Sequence, residues 1–356
     1  MAITITQRAV TTTRRGLQRM GSNYVLRTFL QGFITVWAVM TFTFFLIRQM
    51  PSNPIQVETE IIIREQHLSY DEAYSQAMSL FNFDPDTPIL EQYLKYLGRL
   101  ARLDLGQSIT VAGTPVIDQI KQLLPWTLFS VGLGLLISFT LGIFLGTAMA
   151  YWRGGILDNT VTTAASILSG IPNYVTGLLI MIVLGVQLHL FSVGNMLGRV
   201  DSTIEPGFTP QYIGSVLKHA ILPVITYVSA TVGSWILTMK SSTISTLGEE
   251  YVTVAHARGL GQRRILTSYV GRNAMLPLVT QLAISIGFVI GGSVIIEEIY
   301  MYHGLGKFLL RSISQRDYTS MQGVFLFIAM AVVLANMLAD MLYGLLDPRV
   351  RVGGEK

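Results

Sequence analysis

Long apolar runs separated by polar segments dominate the pattern along the chain. Six of them carry no Asp, Glu, Lys, Arg or His: residues 29–47, 126–151, 159–188, 220–239, 273–296 and 318–339. A helix rises about 1.5 Å per residue and the hydrocarbon core is about 30 Å thick, so about 20 such residues cross it. In lipid the backbone must satisfy its own hydrogen bonds, which a helix does within one segment. The pattern therefore predicts an all-α membrane protein with six transmembrane helices.

Two polar segments are too long for plain connections. Residues 48–125 show helical patterns over 71–80 and 89–103 and read as a small external subdomain. Residues 240–272 place Val252, Ala255, Ala257, Leu260, Ile265 and Leu266 among basic residues. That mixture predicts a short helix at the membrane surface or in a partner's groove. The remaining organisation follows: segment 1–28, first span 29–47, a five-span core 126–346 and a tail 347–356.

Charge sets the orientation. If the N-terminus is inside, segments 1–28, 152–158, 240–272 and 347–356 hold 14 of the 25 Lys and Arg in 78 residues. The outer segments 48–125, 189–219 and 297–317 hold the other 11 in 130 residues. Basic residues concentrate on the cytoplasmic side of membrane proteins, so both termini are expected in the cytoplasm. The basic start of the chain resembles a targeting peptide, but the apolar run behind it is long and lacks a small-residue cleavage site, which predicts an uncleaved anchor.

Composition narrows the function classes. Charged residues make up 13% of the chain, and the net charge of +4 is too small and scattered for a nucleic-acid surface. There is no cysteine, so disulfides, thiol nucleophiles and cysteine metal sites are excluded. His67, His189, His219, His256 and His303 show no metal-ligand spacing, and no metal site is expected. No phosphate-binding loop occurs; Gly304-Leu305-Gly306-Lys307 lacks both its spacing and its hydroxyl. The chain is not expected to be an enzyme. An ion-coupled secondary transporter would show inverted repeats and midplane carboxylates, and neither is seen.

The stretch from Glu250 through Tyr251, Ala255, Ala257, Arg258 and Gly259 to Leu260, followed by Arg272-Asn273-Ala274-Met275-Leu276-Pro277, resembles the cytoplasmic coupling loop of ABC importer permeases. Pro277 falls 18 residues after Gly259, a spacing similar to the dipeptide, oligopeptide and nickel branch. Asp104-Leu105-Gly106-Gln107-Ser108, Gly304-Leu305-Gly306, Arg316-Asp317-Tyr318 and Leu346-Asp347-Pro348-Arg349 match that branch in order. Two departures are His303, where the branch has Pro, and extra outer length over 56–80. The resemblance implies a pore-forming subunit in a prokaryotic inner membrane that docks its coupling helix on an ATPase. It also implies a second homologous permease chain, two ATPase subunits carrying ATP and Mg, and an external binding protein. Di- or oligopeptides are the expected cargo, with nickel complexes or oligosaccharides as alternatives.

Further candidates are ionisable or helix-bending residues at the spans. Glu297 and Glu298 close the fifth span, and Asn336 and Asp340 sit near the end of the sixth; each reads either as translocation path or as structural contact. Pro172, Pro223 and Pro277 interrupt helices, either as gates or as packing kinks.

Overall fold

A computed structural model describes residues 24–49, 54–80, 87–108, 113–291 and 294–346. The first helix, α1 (Tyr24–Arg48), leads to three shorter ones, α2 (Pro54–Gln66), α3 (Tyr70–Leu80) and α4 (Ile89–Leu100). A two-residue hairpin pairs β1 (Gln107–Ser108) with β2 (Thr114–Pro115). The core follows with α5 (Val116–Tyr151), α6 (Ile156–Gly170), α7 (Asn173–Leu179) and α8 (Pro210–Leu247). Then come α9 (Glu250–Ala257), a helical run over 262–274, α10 (Leu276–Gly291), α11 (Val294–Ile299), α12 (Leu305–Ser314) and α13 (Tyr318–Leu346).

Four helices among the described residues are long and apolar enough to cross a membrane: those over 27–48, 116–151, 210–247 and 318–338. One predicted span differs. The run 159–188 is not one straight helix. It bends by 104° between Ile156–Gly170 and Asn173–Gln187, because Pro172 cannot donate to the α6 ladder and holds Ile171 extended. Counted together, that bent pair makes a fifth candidate crossing. The run 273–296 holds α10 and α11, with residues 292–293 between them outside the described ones. The predicted helices over 71–80 and 89–103 appear as α3 and α4. The span predicted from 126 starts earlier, since α5 carries Pro125 within it.

The core is built around α8, which packs along α5 and α6. Glycines set the closeness of these crossings. Gly142 lies on Trp235, and a Cβ at Gly146 would stand 2.6 Å from Met239 Cβ. Gly233 likewise faces Ala165 and Ser169. Outside the core, α2 and α3 form a helical pair around Ile55, Ile62, Ala73 and Ala77.

At the start of α13 a buried Asp317 accepts from the Ser108 hydroxyl at 2.7 Å and from Ser320 N–H and hydroxyl at 2.9 and 2.7 Å. This carboxylate caps α13 and ties the β-hairpin to it.

Candidate functional site

The segment after α8 turns within two residues into α9. Glu249 stands extended as the residue before the helix, and α9 ends at a glycine. Gly259 has φ +71°, a conformation that side-chain-bearing residues adopt at a cost. Its N–H donates to the His256 carbonyl at 2.9 Å, and Leu260 N–H donates to the Ala255 carbonyl at 3.3 Å. These two bonds are the Schellman arrangement that satisfies the last carbonyls of a helix.

The faces of α9 divide cleanly. Val252 and Ala255 are buried in a cluster with Trp235, Met239, Ile265, Val270 and Ala274, against which Leu260 also packs. Glu250, Tyr251, Val254, His256, Ala257, Arg258 and Gly259 are exposed. The short helix expected in 240–272 is present, and its apolar positions divide between the two faces. Val252, Ala255 and Ile265 are the inward anchor of the segment, and its outward face is mostly polar. Asn273 donates to the Tyr251 hydroxyl at 2.8 Å and to the Tyr269 carbonyl at 3.1 Å, locking α9 to the run that enters α10.

The carboxylates at the other end divide differently. Glu297 is 1% exposed, and of its two readings the structural contact is the one this burial fits. Its Oε1 accepts from Thr127 Oγ1 at 2.8 Å and its Oε2 from Lys307 N–H at 2.9 Å. The Thr127 hydroxyl in turn accepts from Leu305 N–H at 2.8 Å. A Cβ at Gly304 would stand 2.5 Å from this carboxylate, and one at Gly306 would stand 2.8 Å from Val294 Cα. The Gly-Leu-Gly motif thus lets the start of α12 close over Glu297. Glu298 is exposed, 4.0 Å from Lys307 Nζ. His303, the departure from the family pattern, lies exposed beside Lys307, Arg199 and Arg311; partial desolvation first, then these cations, hold its imidazole below its ordinary pKa.

The other sequence candidates lie apart. Pro172 sits at the 104° bend, Pro223 is buried within a continuous α8, and Pro277 is exposed in the first turn of α10. Asn336 is exposed on α13, and Asp340 falls beyond the last described side chain, Leu338. The tail 347–356 and segment 1–23 lie outside the described residues.

Two contacts escaped the sequence reading. Tyr300 donates to the Gly177 carbonyl at 3.0 Å and accepts from Thr226 at 2.8 Å, pinning α7 to α8 just past the bend. Asp158 pairs with Lys240 where α6 meets α8. For Asp158 and Lys240 the available signal was position: each is the charged residue that bounds an apolar run.

Several apolar spans around a tightly packed α8, with an exposed helix fixed between α8 and α10, define a multi-pass helical membrane protein. Residues 142–352 match the family described as binding-protein-dependent transport system inner membrane component. The chain belongs to that family. It is 31% identical to the di/tripeptide transport system permease protein of Pseudomonas aeruginosa, over 89% of this chain and 95% of that one. It is 30% identical to the oligopeptide transport system permease protein of Bacillus subtilis, over 92% and 98%. The glutathione transport system permease protein of Escherichia coli is 27% identical over 92% and 99%.

Proposed function

We propose that this chain is the permease subunit of an ATP-driven peptide importer, coupled to a separate ATPase through α9. Its relatives' names supply the peptide cargo. In this reading the bent 156–187 pair and α10 with α11 each count as a crossing. That gives six spans, both termini in the cytoplasm, and an external subdomain between the first two. A second homologous permease completes the pore, two ATPase subunits bind the α9 side, and an external binding protein delivers cargo to the opposite side.

The observation that carries the reading is the construction of α9. It is anchored inward by Val252 and Ala255, closed by Gly259, and bonded through Tyr251 to the entry of the next span. An exposed element joined rigidly to two membrane helices can transmit a push from a partner that closes on ATP. Glu250, Tyr251, Ala257, Arg258 and Gly259 form its outward surface, while Ala255 and Leu260 support it from within. Pro172, Pro223 and Pro277 are the proposed bending points of the gate. Glu298, Asn336 and Asp340 are the proposed path residues, and Glu297 is assigned to structure instead.

The test is co-expression with the cognate ATPases, followed by vesicle uptake of a dipeptide supplied with the binding protein. Gly259→Val, which forces a β-branched residue to φ +71°, should lose ATPase association and ATP-driven uptake together. If a variant lacking residues 250–260 still assembles and still transports, the coupling assignment is wrong. Uptake that needs an ion gradient and no ATP would replace it with secondary transport.

A further inference from the structure

The ion pair between Asp158 and Lys240 is largely shielded from water, with side-chain exposures of 7% and 19%. Asp158 stands in the first turn of α6, after a turn in which Gly154 has φ +78°. Gly154 N–H donates to Asp158 Oδ2 at 2.9 Å. Thr162 donates to Oδ1 at 3.2 Å and accepts from Lys240 Nζ at 2.8 Å. Both charges therefore have further partners beyond each other. Withdrawing an ion pair from water costs several kcal/mol per ion unless such bonds repay it, so the pair is weak evidence for stability alone. A lone Lys240 would satisfy membrane orientation equally well.

Its place in the fold is specific. Lys240 lies on α8, which ends at Leu247 and restarts as α9 at Glu250. Asp158 opens α6, which ends at the 104° bend before Asn173–Gln187. Between them α6 and α8 meet at Gly233 against Ala165 and Ser169 and in a cluster of Ala165, Val232 and Ile236 with Val161, Leu168 and Val228. The ion pair adds a directional, charge-assisted tie to this packed contact.

We infer that Asp158 and Lys240, seated by Thr162, are positioning residues through which displacement of α9 reaches the bent 156–187 pair. This rests on the coupling role of α9 proposed above. The ion pair fixes α6 to the lever formed by α8 and α9, so both move as one body when a partner pushes.

The experiment uses the whole complex in vesicles, with its ATPases and binding protein, and reads dipeptide uptake per ATP hydrolysed. Asp158→Asn and Lys240→Met should each lower that ratio about five- to tenfold, the size of a modest coupling free energy. The double variant should be no worse than the worse single one, because the interaction is already gone. Lys240→Arg, which keeps the charge, should retain most of the coupling. A purely structural role lowers the amount of complex and leaves the ratio unchanged; that result, or additive losses in the double variant, overturns the inference. Should a single variant fail to accumulate, the double variant, with no orphan charge, carries the readout: a wild-type ratio refutes and a lowered ratio supports. Wild-type uptake that proceeds without ATP would sink the coupling reading itself and this inference with it.

Discussion

Glu297 shows how burial decides what a carboxylate does. Its oxygens accept from the Thr127 hydroxyl and the Lys307 N–H, with the start of α12 closed over them. A glutamine in its place has one acceptor oxygen where the carboxylate has two; with that oxygen on the Lys307 N–H, the Thr127 hydroxyl loses its acceptor and an amide N–H gains none. Leaving a buried group unmatched costs about 1–3 kcal/mol. Glu297→Gln should therefore lower the unfolding midpoint of the detergent-solubilised protein measurably. Glu298→Gln, at an exposed position, should stay within about 0.5 kcal/mol of wild type. Equal behaviour of the two variants would remove the structural role given to Glu297. In the sequence the two glutamates were indistinguishable, both charged and both at the edge of an apolar run. What separates them is the return of residues 304–307, a tertiary event that no local pattern encodes.

At the scale of elements, the apolar runs were legible because lipid imposes a length and a composition that a linear sequence displays directly. The helices over 27–48, 116–151, 210–247 and 318–338 follow from them. Where the runs misled, backbone geometry intervened. Proline at 172 broke one helix. The α9 segment was legible as a helix closed by Gly259, while the inward direction of Val252 and Ala255 depended on α8 lying beside it. Asp158 and Lys240 were visible only as run boundaries, since their pairing needs α6 and α8 side by side. That crossing makes its own prediction. Gly146→Ala puts a methyl 2.6 Å from Met239 Cβ and 2.7 Å from the Ile236 carbonyl, and overpacking of this kind costs about 1–3 kcal/mol. Gly132→Ala, on the same helix, meets nothing nearer than Val289 Cγ1 at 3.9 Å and should be neutral or slightly stabilising. Thermal midpoints of the two variants decide whether close glycine contacts hold α5 to α8.

For the whole molecule, the open question is whether the bent 156–187 pair crosses the membrane or returns to the side it entered. The absence of cysteine makes the question answerable with single introduced thiols. α8 is long and apolar enough to cross as one helix, which puts Ser202 before it and His256 after it on opposite sides in either case. Ser22, ahead of α1, supplies the reference. With α1 and α5 each crossing once, a full crossing by the bent pair puts positions 22 and 256 on the same side, and a re-entrant pair puts them on opposite sides. The basic density of 1–28 and 240–272 favours the same side. Ser22→Cys and His256→Cys should therefore react with an impermeant maleimide only in inside-out vesicles, and Ser202→Cys only in right-side-out ones. If position 256 labels from the outside while position 22 does not, the bent pair is re-entrant. The α9 surface then faces away from any cytoplasmic ATPase, and the coupling assignment fails with it.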